Sequence, residues 1–140
     1  MIISLEQYFV DLKPKIDDEE VQNVLSLSLF QPTPESIARV IERCKKNDER
    51  KLWGITMGGK VSAVVEYYLR GDSIYIAQLA VSQGLRGQGI GRRIITELIK
   101  RYQMPIELET DDDAIGFYRK CGFQVTQFEK NSVNRWKCIL

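Results

Sequence analysis

Four glycines fall within one short stretch where an apolar run, Leu79-Ala80-Val81, gives way to Ser82-Gln83-Gly84-Leu85-Arg86-Gly87-Gln88-Gly89-Ile90-Gly91-Arg92. Ile90, Ile94, Ile95, Leu98 and Tyr102 follow at helical spacing, so the stretch reads as a strand, a glycine loop and a helix start. The first turn of a helix carries unpaired N–H donors and a partial positive charge, which suits an anion. Glycines let a phosphate oxygen reach backbone amides that a Cβ would shield, and Arg86, Arg92 and Arg93 add positive charge beside them. A purely geometric turn needs one or two glycines and leaves Gly84, Gly87, Gly89 and Gly91 in excess. A P-loop needs Lys and then Ser or Thr where this chain has Ile90 and Gly91. A dinucleotide loop needs a third glycine where Arg92 stands, and it follows the first strand of its unit rather than a hairpin.

Histidine is absent, which removes Ser-His-Asp and Cys-His catalysis and the commonest transition-metal ligand. Cys44, Cys121 and Cys138 are too few for an all-cysteine zinc site, so no metal is expected; the odd count, with no secretory leader, reads as reduced thiols in a cytoplasmic protein. Twenty basic against nineteen acidic residues give a net charge of +1, which argues against a dedicated nucleic-acid binder. No apolar run approaches the roughly 20 residues of a membrane span, so no membrane partner is expected. At 140 residues the chain, 1–140, fits one domain.

The elements that must position the loop follow from periodicity. Ile2-Ile3-Ser4-Leu5 reads as an edge strand, and Asp17-Asp18-Glu19-Glu20 opens a helix carrying Val21, Val24, Leu25 and Leu29. Thr33 is the expected N-cap of a second helix, with Ser36 an alternative, and Ile37, Val40, Ile41 and Cys44 as its apolar face. The polar run from Lys45 to Lys51 reads as a solvated helix end. Leu52–Met57 and Val61–Leu69 form a hairpin across Gly58-Gly59, and Ser73–Val81 is a third strand. After the glycine-loop helix come a strand at Ile106–Thr110, a short helix at Ala114–Cys121, a strand at Phe123–Phe128 and a last strand from Val133 to Leu140. The class is α/β or α+β, one mixed sheet with about four helices.

Arg86-Gly87-Gln88-Gly89-Ile90-Gly91, preceded by Leu79-Ala80-Val81, resembles the acyl-CoA pyrophosphate loop of the GNAT N-acetyltransferase superfamily. Ala114-Ile115-Gly116-Phe117-Tyr118-Arg119-Lys120-Cys121-Gly122-Phe123 is similar to that family's second signature, A-x-x-F-Y-x-K-x-G-F. Two motifs in order are far more specific than either alone. The resemblance implies a mostly antiparallel mixed sheet of about six to seven strands and an acetyl-CoA co-substrate. It implies pyrophosphate binding by the amides of Arg86, Gly87, Gln88, Gly89, Ile90 and Gly91 with Arg92. Main-chain contacts from Leu79, Ala80 and Val81 would hold the pantetheine arm, with an N–H near Val81 polarising the thioester carbonyl.

By the same resemblance Tyr118 protonates the departing thiolate. For the base that takes the amine proton, the strand before the loop offers only Gln78, leaving Glu66, Glu107 and Glu109, or water alone. Asp111 stands where many members have asparagine, and its type suits a helix cap. The implied activity is acetyl transfer to a primary amine, small molecule or peptide, by direct attack in a ternary complex. The alternatives are a CoA-binding regulatory module without turnover and a structural domain with no nucleotide site. Monomer and homodimer both fit the family.

Overall fold

The computed structural model describes residues 6–140, so the edge strand expected at 2–5 lies outside the described residues. Eleven regular elements follow in chain order: β1 (Gln7–Asp11), α1 (Glu19–Ser26), α2 (Pro34–Lys46), β2 (Lys51–Met57), β3 (Lys60–Arg70), β4 (Ser73–Val81), α3 (Ile90–Tyr102), β5 (Ile106–Thr110), α4 (Ile115–Lys120), β6 (Gln124–Lys130) and β7 (Val133–Ile139). The strands form one sheet in the order β1-β2-β3-β4-β5-β7-β6. Every neighbouring pair is antiparallel except β4 and β5. That exception follows from the crossover through α3, which returns the chain in the same direction. The fold is the expected mixed, mostly antiparallel sheet with four α-helices.

Local chemistry explains the ends. Thr33 and Ser36 cap α2 reciprocally, each side chain accepting from the other's backbone N–H. Helix α1 stops at Ser26, short of Leu29, because Leu27, Ser28 and Leu29 donate three residues back, which tightens the chain. The strand at Gln7–Asp11 carries apolar residues on both faces, Phe9 toward one core and Val10 toward the other, so it lacks the alternation that marks a half-buried strand.

The sheet is covered on both sides. One core joins α3 and α4 to sheet residues such as Val65, Tyr67, Ile74 and Ile106; the other joins α1 and α2 to Leu52, Val64 and Ala80. Strand β4 contributes to both, and a bulge changes which residues do so. Glu66 pairs with Gln78 but Tyr67 with Ile76, which leaves Ala77 as an extra residue in β4. Ile74 and Ile76 face α3 before the bulge, and Leu79 and Val81 face it after. Gln78 and Ala80 thereby turn toward α1 and α2.

Candidate functional site

Strands β4 and β5 pair only at Ile74–Ile106 and Tyr75–Glu107. Beyond those pairs they diverge, and the gap opens into a cavity of about 920 Å³. Ser82 N–H donates to the Ser62 carbonyl, so the alternation of an antiparallel pair turns the main-chain groups of Ala80 toward β3 and those of Leu79 and Val81 toward the gap. Arg86 Nε donates to the Val81 carbonyl at 3.4 Å, closing the loop back onto the strand.

The glycine loop forms the next wall. Gly87 and Gly89 have φ of 80° and 81°, left-handed values that cost an L-residue about 1–2 kcal/mol. Nothing lies within 4 Å of where a Cβ would stand on either, so their backbone is open to a ligand. Gly89 is the N-cap of α3, and no side chain caps that helix, which leaves its first-turn N–H groups available. Gly91 is different. A Cβ there would meet Phe117 Cζ at 3.0 Å, so this glycine permits α3 and α4 to pack closely. Arg92 Nη2 donates to the Lys120 carbonyl at 2.6 Å and ties the same two helices together. Arg93 points away, with both terminal nitrogens on Gln7.

Helix α4 supplies the third wall. Asp111 Oδ1 accepts from the N–H groups of Asp113 and Ala114, which fixes the turn ahead of α4. The N-cap itself is Ala114 and no side chain caps the helix, so the expected cap at Asp111 is not formed. Tyr118 lines the cavity, only 7% exposed, edge-on to Phe117 and Phe123. Burial pushes its phenol well above the usual range, with the Cys138, Cys121 and Asp111 charges acting in the same direction, so Tyr118 keeps its proton at any ordinary pH. Burial also raises the Cys121 thiol on this wall, against the nearby Arg92.

Of the three carboxylates, only Glu109 lines the cavity, 3.8 Å from Lys130 Nζ. Glu107 is held by Arg70 and Ser73, whose hydrogen bonds lower its carboxyl below the usual range. Glu66 is 1% exposed on the α1–α2 face, outside the cavity wall, with Arg50 at 3.3 Å and Arg43 at 3.7 Å. Thus Leu79–Val81, Arg86, Gly87, Gly89–Arg92, Glu109 and Tyr118 meet at one cavity, while Glu66 and Gln88 lie off its wall.

A sequence profile of the Acetyltransferase (GNAT) family matches residues 18–123. The chain belongs to that family. Solved structures agree in fold across nearly the whole length. An acetyltransferase from Thermus thermophilus superposes with a TM-score of 0.73 at 14% identity, covering 99% of this chain and 97% of the other. An aminoglycoside 6′-N-acetyltransferase complexed with coenzyme A gives 0.74 at 16%, covering 95% and 96%. A Bacillus subtilis acetyltransferase in complex with CoA gives 0.68 at 16%, covering 98% of each chain. No curated protein matches the sequence. The GNAT profile ends at Phe123, so β6, β7 and the chain before Asp18 fall outside the matched segment.

Within this GNAT fold the segment joining α1 to α2 also reaches the cavity, through Leu27, Ser28, Leu29 and Phe30. Ser28 Oγ donates to Gln78 Oε1 at 2.7 Å, which fastens the segment to β4. The sequence marks this stretch only as a helix break before Gln31-Pro32. The one available signal is Phe30, an aromatic beside a break, and it is 81% exposed. Among the described residues no helix is long and apolar enough to cross a membrane.

Proposed function

We propose that the protein is an acetyl-CoA-dependent N-acetyltransferase that moves an acetyl group to a primary amine by direct attack in a ternary complex. The observation that carries this reading is the gap between β4 and β5, which runs straight into an uncapped helix start behind two left-handed glycines. Open amides fit a pyrophosphate, and the edge of β4 at Leu79 and Val81, where no strand pairs and only the Val81 carbonyl is taken up by Arg86, fits an extended amide-bearing arm. The bound CoA seen in two proteins of the same fold supports the donor's identity.

In this reading the amides from Arg86 to Gly91 hold the pyrophosphate, with Arg92 beside them. Leu79 and Val81 bond the pantetheine arm, and the Val81 N–H polarises the thioester carbonyl as charge develops on its oxygen. Glu109 receives the amine proton, directly or through water. As the amine nitrogen bonds the carbonyl carbon, the C–S bond breaks and Tyr118 gives its proton to the sulfur. Burial raises a thiol as it raises the phenol, so the transfer between them stays close to balanced. Glu66 serves the arginines it holds and takes no part in proton transfer.

A second reading is a CoA-binding module without turnover. Gln78 favours it, because the β4 side chain nearest the gap on the α2 side is an amide that cannot accept the amine's proton. Thermal unfolding with acetyl-CoA, and with ATP and NAD as controls, tests the donor site. A ligand at 100 times its Kd adds about 2.7 kcal/mol, on the order of 5 °C at this size. A shift with acetyl-CoA alone is expected; no shift at millimolar ligand overturns both readings. Acetylation of an amine panel then separates enzyme from module.

A further inference from the structure

Beside the main cavity, on the α2 side of the sheet, lies a groove of about 640 Å³. The two spaces share Leu29 and Gln78, so the groove leads to the point where an acceptor nitrogen would meet the donor. Its outer wall is one face of α2, where Arg39, Arg43 and Lys46 recur at helical spacing. Most of its acidic neighbours are already engaged. Glu42 pairs with Lys46 at 3.0 Å within the helix, and Glu66 lies closer to Arg50 than to Arg43. Among the described residues Arg39 has no ion-pair or hydrogen-bond partner. Arg43 has only the 3.7 Å approach of Glu66 Oε1, an oxygen that is fully buried and accepts no hydrogen bond.

A buried carboxylate oxygen without a donor is costly, and Oε1 is left so while Oε2 accepts from Arg50. Here it stands behind Arg43 and offers that side chain an anchor without a fixed geometry. Half of Arg43 stays exposed toward the groove. A guanidinium held from behind and open in front is suited to a second, bidentate anion.

We propose that Arg39 and Arg43 seat an anionic group carried by the acceptor, which makes the acceptor a primary amine bearing a carboxylate or a phosphate. The inference rests on the acetyltransferase reading and names the substrate class of that site. The amine end passes Gln78 toward Glu109, while the anionic end stays on α2. Lys46, tied to Glu42, contributes field more than contact. The net charge of the groove selects against plain polyamines, which the carboxylates of the sheet alone would have favoured.

The test is acetylation of matched pairs that differ only in the anion: an amino acid against its amide, and phosphoethanolamine against ethanolamine. The charged member of at least one pair is expected to show a kcat/KM about tenfold higher, the usual scale for one charge-assisted contact. Which pair responds separates carboxylate from phosphate. Arg39→Gln lowers kcat/KM for the charged member about tenfold through KM and brings the pair close together. Lys45→Gln removes the same charge from another face of α2, where Lys45 meets Asp17, and keeps the preference. Equal rates within both pairs overturn the proposal, as does equal loss in the two variants or no transfer to any charged member. The acetyl-CoA shift, measured on the same protein, separates the failures. A normal shift without charge preference removes only this inference, and an absent shift removes the donor site with it.

Discussion

On the α3 side of β4, what faces the cavity is mostly main chain: the edge of a strand, amides between left-handed glycines, a helix terminus and one phenol. On the α2 side the cavity and the groove beside it are lined by side chains: Gln78, Glu109 and the loop aromatic Phe30 in the cavity, Arg39 and Arg43 in the groove. A backbone-built site holds a ligand that is always the same, because its geometry is set by dihedral angles and survives changes of neighbouring side chains. A site built from side chains can be rewritten residue by residue without disturbing the strand it stands on. In the proposed function the donor lies on the backbone-built side, and acceptor choice falls to the other.

The sharpest way to break this contrast is Tyr118→Phe. Losing a general acid costs about 10²–10⁴ in rate, so turnover should fall at least a hundredfold while the acetyl-CoA shift in unfolding temperature stays. Loss of both together would mean the phenol holds the fold or the donor rather than the proton. Next comes Glu66→Gln on the opposite face. It leaves Arg43 and Arg50 without their anion and should cost about 2–3 kcal/mol, below the full 3–5 for a fully buried pair because Arg43 is half exposed. Denaturant unfolding reads that loss, and unchanged acetyl-CoA affinity would keep the two sides independent.

Gly89→Ala is smaller. The strain of a left-handed alanine, about 1 kcal/mol, should weaken acetyl-CoA about fivefold by calorimetry and leave the charge preference among acceptors intact. The smallest effect is at Glu107→Gln. Arg70 and Ser73 lower the Glu107 carboxyl, so its contribution is present above the unfolded value and is lost as pH falls through the lower folded one. Arg70 is half exposed and solvent screens the pair, so the loss is at most about 0.5 kcal/mol at neutral pH. Wild type and variant should converge in unfolding free energy as pH falls through the lowered folded value of Glu107; a difference that persists in acid would show that packing, not charge, is at work.

The same contrast explains which features are legible in the amino-acid sequence and which are not. Gly87 and Gly89 are legible because a backbone-built site leaves its trace in composition, and Tyr118 because it sits inside a spaced signature. The parallel β4–β5 pair is legible too, since a helix intervenes. Arg39 and Arg43 are not, because charges on a helix face look the same whether they meet water or a ligand. Glu66 reads as a candidate base because nothing in a strand's pattern reveals that Arg43 and Arg50 converge behind it. Strand β1 is hidden for a related reason: with Phe9 against one core and Val10 against the other, it shows no alternation.

The extra residue at Ala77 has an evolutionary consequence. Upstream of it the even-numbered positions of β4 belong to the α3 core, and downstream the odd-numbered ones do. Removing Ala77 would place Gln78 directly after Ile76 and leave every later side chain on the face it has now, because the extra residue is what shifts the numbering; only the local bend of the strand would go. Replacement by another small residue leaves the phase alone. The position should therefore tolerate drift in identity and a one-residue gap alike, whereas a gap among residues 78–81 would exchange the faces beyond it, so that in lineages descended from this protein β4 shortens at 77 before anywhere else.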